Sequence, residues 1–147
     1  MKVVSAALEC LQRAGWTPSR RAAPDEYIKL LRSEGYPAGP AVERFLASYG
    51  GLRVTHPHHK LPALLDEFHL DPKQATDGIY AERVAEYSAR VGEPLTVVGE
   101  AFRGNMVLLM SEGGRVFAGK DDLLLLVGES GDAALETLCE GGPTPEI

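Results

Sequence analysis

"PLTVVGEAFRGNMVLLMSEGGRVFAGKDDLLLLVGE", residues 94–129, is a succession of apolar runs of strand length broken by short, glycine-bearing turns. Residues 94–102 and 105–112 are parted only by Arg103-Gly104-Asn105. A Gly113-Gly114 turn then precedes a short run through Val116 and Phe117. Residues 123–127 are apolar without interruption, and the length between Asp122 and Gly128 fits a strand better than the competing helical reading. A continuous apolar run of this kind reads as a buried central strand. Runs joined by turns this short pair antiparallel, so the segment predicts a meander.

Toward the N-terminus the period changes from strand to helix. Val4, Ala7, Leu8 and Leu11 fall at i, i+3, i+4, i+7 in residues 4–15, which Gly15 can end. Residues 23–35 open with Pro24 and two acids, carry Tyr27, Leu30 and Leu31 as a stripe, and stop at Gly35. Residues 39–51 repeat the pattern with Pro40, a stripe of Val42, Phe45, Leu46 and Tyr49, and Gly50-Gly51 as the stop. "LRVTH" (52–56) and "DEFHLD" (66–71) alternate like strands, with Phe68 and Leu70 sharing a face. "PKQATDG" (72–78) reads as a polar loop. Residues 79–92 form a further helix on Ile79, Val84, Tyr87 and Val91. After the meander, residues 131–141 read as a closing helix capped by Asp132, followed by "GPTPEI" as a loose tail. The expected fold class is α+β in one domain over 1–147: N-terminal helices, a mostly antiparallel sheet with one inserted helix, and a C-terminal helix.

A chain of 147 residues buries about 70% of its unfolded surface, enough for a real core. No run of 18 apolar residues exists, so no membrane-spanning helix is expected. The start resembles a signal peptide only briefly, since Glu9, Gln12 and Arg13 interrupt it at helical spacing; a cytoplasmic protein is expected. Cys10 and Cys139 make no framework and read as two small buried side chains. Charge is uneven. Residues 1–60 carry nine Lys/Arg against five Asp/Glu, and residues 61–147 carry six against sixteen, within a net charge of −6. Nothing forms a basic phosphate-binding stripe, which argues against direct nucleic-acid binding.

The stretch "RVTHPHHKLP" (53–62) gathers His56, His58 and His59 within four positions. Pro57 places these residues where a strand runs into a turn, and no HExxH pair or neighbouring cysteine pair completes a metal set. The residues read as an exposed polar turn, with no metal, no cofactor and no catalytic residue assigned. There is no GxSxG. The pairs Asp66-Glu67 and Asp121-Asp122 are adjacent and so face opposite ways on a strand. "GEAFRGN" and "SEGGRVFAG" are hairpin turns, not phosphate loops. Trp16, Arg20 and Arg21 leave two readings, an anion or carboxylate site or a clamp on a helix end, of which the clamp is preferred.

The ordered motifs resemble those of the SUKH superfamily of bacterial immunity proteins, its third subfamily in particular. "AGWTPSR" (14–20) is similar to an early Gly-Trp-x-Pro-Gly-Arg motif, with Ser19 in place of the glycine. "VERFLASYGGLRV" (42–54) resembles a helix running into a Gly-Gly-Leu strand. "YSARVGEPLTVVGEA" (87–101) resembles a helix followed by Gly-x-x-Leu-x-x-x-Gly. "GGRVFAG" (113–119) and "VGESGDAALETLCEG" (127–141) complete the order. On this resemblance Trp16, Arg20, Gly50, Gly51, Leu52, Gly92 and Gly99 are fold-defining. The resemblance implies a non-enzymatic antidote that binds a cognate polymorphic or contact-dependent toxin, often a nuclease or nucleic-acid deaminase. An acidic surface suits the basic cleft of such a toxin. The expected partner-binding residues are Asp66, Glu67, Asp71, Asp77, Glu82 and Glu86, with Tyr80 as an aromatic anchor and Phe68 a second candidate better read as core. The alternative is a small-molecule or peptide-binding regulatory domain of the same fold, with Trp16, Arg20 and Arg21 lining its pocket. Oligomeric state is left open.

Overall fold

A computed structural model describes residues 5–147, so Val4 of the first predicted stripe lies outside the described residues. Three helices come first: α1 (Ser5–Arg13), α2 (Asp25–Ser33) and α3 (Pro40–Tyr49). The α3 stripe is buried as its spacing predicts, whereas α2 buries Ile28 with Leu31 and leaves the predicted Tyr27 and Leu30 half-buried, and Leu8 of α1 is likewise half-buried. Ala7 and Leu11 of α1, Leu31 of α2, and Val42, Phe45, Leu46 and Tyr49 of α3 are all buried. Strands β1 (Arg53–Pro57) and β2 (Leu65–His69) follow, then helices α4 (Pro72–Thr76) and α5 (Ala81–Val91). The meander is β3 (Leu95–Ala101), β4 (Met106–Ser111), β5 (Val116–Lys120) and β6 (Leu123–Gly128), and α6 (Gly131–Glu140) closes the order.

The six strands form one antiparallel sheet whose spatial order is the chain order, β1 to β6. Helices cover both faces. A Cβ on Gly119 would strike the Tyr87 ring of α5, and one on Gly128 would strike Ala134 of α6. Gly128 pairs with Val116, three residues from Gly119, so α5 and α6 lie on opposite faces. Val97, Val98, Leu108 and Leu109 in the central strands are essentially inaccessible as a result. The β1–β2 hairpin joins the meander through one registered pair, His69 with Glu100, supplemented by Arg103 N–H donating to the Glu67 carbonyl at 3.0 Å. That single pair is reinforced by its own side chains. His69 Nε2 lies 2.8 Å from Glu100 Oε1, and its Nδ1 accepts from Asp71 N–H, which leaves the proton on Nε2 to be donated to Glu100.

Four sequence expectations are corrected. Residues 123–128 are not a central strand: β6 is an edge, packed against α6, with Leu124 and Val127 buried and Leu125 and Leu126 half-buried. "PKQATDG" is not a loop throughout, because Asp71 accepts from Lys73 and Gln74 N–H groups and Pro72 sits in the first turn, which suffices for the short α4. Two helices, not one, therefore separate β2 from β3. Asp132 does not cap α6: Ser130 does, accepting from Ala133 N–H, while Asp132 meets the Tyr49 hydroxyl at 3.4 Å. Finally, "GPTPEI" is no loose tail. Leu126 N–H donates to Pro145, Ile147 N–H donates to Leu124, and Glu146 bridges to Leu125, which screens the open edge of β6.

Candidate functional site

The histidine turn is held from several sides. Alternation along β1 puts His56 on the same face as Val54, opposite Asp66 and beside Phe68, so His56 is buried and not in an exposed turn. Its ring stacks on His59 at 4.9 Å and meets Phe68 at 5.9 Å. Burial holds its pKa below the ordinary histidine range, against the Pro57 carbonyl that its Nδ1–H reaches at 2.9 Å. His59 Nε2–H donates to the Leu138 carbonyl near the end of α6, and His58 Nδ1 accepts from Lys60 and Leu61 N–H groups. Each ring thus has a structural partner. Among the described residues no group of three His, Cys, Asp or Glu stands where it could hold a metal ion.

Trp16 and Arg20 act on α3. Trp16 stacks on Tyr49 at 5.8 Å. The Arg20 guanidinium donates to the carbonyls of Ser48 at 3.0 Å and Gly50 at 2.9 Å, satisfying acceptors that the helix end leaves open. Gly51, at φ 84, then turns the chain so that Leu52 is buried and β1 begins. Gly92 ends α5 in the left-handed region, and Gly99 sits at a bulge against the backbone of His69. Arg21 is exposed and bonds to the Pro18 and Arg20 carbonyls at the rim of a cleft of about 500 Å³ shared with Arg44, Phe45 and Asp132. Burial raises the pKa of the Asp132 carboxyl there, and burial likewise raises that of the Tyr49 hydroxyl it faces.

The seven predicted partner-binding residues fall into two groups. Asp66 is buried, its carboxylate accepting from Glu67 N–H; Glu67 lies 3.7 Å from Arg53; Asp71 caps α4. These three carry structural contacts. Asp77, Tyr80, Glu82 and Glu86 instead sit together on the exposed junction of α4 and α5. Tyr80 is 83% exposed and Glu86 is shared with Arg83 at 3.2 Å. Phe68 is core, 1% exposed.

Two surface features carry no signal in residue type alone. The loop between β1 and β2 exposes Leu61, Leu64 and Leu65, each more than half accessible. Along α5, Ala81, Ala85 and Ala89 recur every four residues and form one wall of a groove of about 530 Å³; Tyr36 and Pro37 form the other, over a floor of Val84 and Leu95. The sequence also hides that Cys10 and Cys139 meet across α1 and α6, where thiol–thiol hydrogen bonding lowers the Cys10 pKa and raises that of Cys139.

Compared with known families, residues 3–141 match the family model described as SUKH-3 immunity protein. No curated protein and no solved structure matches the chain.

Proposed function

This chain belongs to the SUKH-3 immunity protein family, and from that premise we propose that it is a non-enzymatic antidote that binds and neutralises a cognate toxin in the cytoplasm. The family match along nearly the whole chain carries this reading. The proposed partner is a nuclease or nucleic-acid deaminase of a polymorphic or contact-dependent system, whose cleft is basic because its substrate is a polyanion. The acidic balance of residues 61–147 supports the charge side of that pairing. We assign the contact to the exposed junction carrying Asp77, Tyr80, Glu82 and Glu86, on a scaffold fixed by the sheet behind it.

The histidine rings and the Arg20 guanidinium are spent on backbone partners, and Trp16, whose Nε1 is buried without a partner among the described residues, stacks on Tyr49, so neither cluster presents a polar set that competes with this reading. The direct experiment is co-expression with each toxin domain encoded beside the gene. Protection of the cells, together with a stoichiometric complex of the purified proteins, supports the proposal. Loss of viability with every such domain, in cells that accumulate the folded chain, refutes it.

A further inference from the structure

The groove beside α5 combines three properties. Its long wall is smooth: Ala81, Ala85 and Ala89 span two helical turns, about 12 Å at 1.5 Å per residue. A helix wall of methyl groups lets a partner backbone approach closely. Its polar lining is already occupied from within. The Ser88 hydroxyl donates to the Val84 carbonyl at 2.8 Å and accepts from Leu95 N–H at 3.1 Å. Glu93 is held by Arg115 at 2.6 Å and by Gly113 N–H, which also lowers its pKa. No convergent polar set therefore remains to orient a small polar ligand.

Its rim is acidic and uncompensated. Glu34 lines the groove beside Tyr36, and the exposed Glu82 follows the lining residue Ala81 at the start of α5; burial raises the Tyr36 hydroxyl pKa and both charges reinforce the rise. Neither glutamate makes an ion pair among the described residues, while the nearby Arg83 and Arg90 are committed to Glu86, Asp122 and the carbonyl of Ile147.

We propose that this groove is the docking site for one segment of the toxin, a helix or extended stretch that lays small apolar side chains along the alanine wall and places a lysine or arginine between Glu34 and Glu82. The assignment rests on the immunity reading above. Charge selects the groove over the exposed leucines of the β1–β2 loop, whose neighbours are His58, His59 and Lys60. A basic toxin surface is attracted to the first and not to the second.

The test uses the full chain and a catalytically inactivated form of the toxin domain that the wild-type protein neutralises. Ala85→Arg fills the groove with a charge at an exposed helical position where arginine keeps nearly the helix propensity of alanine. Its melting temperature is expected to match that of the wild type, and titration calorimetry is expected to show at least about a 100-fold loss of affinity. Reversing both rim charges, Glu34→Lys with Glu82→Lys, is expected to weaken binding about tenfold, chiefly by slowing association at low salt. Leu64→Arg in the β1–β2 loop is expected to bind within about twofold of the wild type, as a substitution outside the interface does. Ala85→Arg binding within about twofold, or Leu64→Arg abolishing binding, overturns the groove while wild-type protection stands. If the wild-type chain neutralises no neighbouring toxin domain, the immunity reading fails and the groove assignment falls with it.

Discussion

A Cβ placed on Gly99 would lie 2.0 Å from the carbonyl oxygen of His69, a backbone atom that cannot swing aside. Gly99→Ala must therefore separate β2 from β3 where only one registered pair joins them. The expected cost is about 3 kcal/mol or more, read as a lowered denaturation midpoint. His56 sets a pH dependence at the same scale. Burial favours its neutral ring in the folded state, so its folded pKa lies below the unfolded value of 6.5. The unfolded chain takes up the proton more readily, and the stabilisation from the neutral ring is complete above the unfolded value and lost as pH falls through it. The charged and titratable groups facing it are His59, His58 and Asp66. Melting curves should show a lower midpoint at about pH 5.5 than at about pH 7.5, and His56→Leu should shrink that difference. An unchanged difference in the variant would remove His56 as its cause.

Among the elements, β6 shows how a sheet edge is made safe. It packs against α6, and its outer backbone is screened by residues 145–147. Deleting residues 142–147 removes two backbone hydrogen bonds worth about 1 kcal/mol each and opens an apolar edge. Light scattering should then show concentration-dependent association that the full chain lacks, and a monodisperse truncated protein would contradict this. The same strand shows what the sequence could and could not convey. The leucine run between Asp122 and Gly128 is legible as a strand by its length, but it is silent on whether one edge or two is paired. The stripe Val42, Phe45, Leu46, Tyr49 was legible because ten helical residues repeat their period often enough to be seen. The five residues of α4 do not complete two turns, and only Asp71 before Pro72 announced a helix there. The cap of α6 is Ser130, two residues before the expected Asp132, a placement that only the backbone geometry fixes.

For the whole molecule, the charge imbalance carries a kinetic expectation. If the acidic surface steers the toxin, stopped-flow association should slow by at least about tenfold from low to physiological ionic strength, while dissociation changes far less. A salt-independent association rate would count against the acidic face as the contact. Charge of this kind is visible in sequence, as the exposed Glu82 and Glu86 show. The alanine wall beside them was not, because a methyl group has no chemical signature and becomes a feature only when Tyr36 and Pro37 are brought opposite it. The chain-ordered sheet, finally, has a consequence for synthesis on the ribosome. Each strand finds its partner in the segment just made, so the sheet can grow hairpin by hairpin during translation. Helix α1 packs against β1 and also against α6, whose first residue follows the end of α1 only after residues 14–130 have been made. At about 5–20 residues per second α1 waits roughly ten seconds for that second partner, so its packing is completed only after the whole sheet has been synthesised.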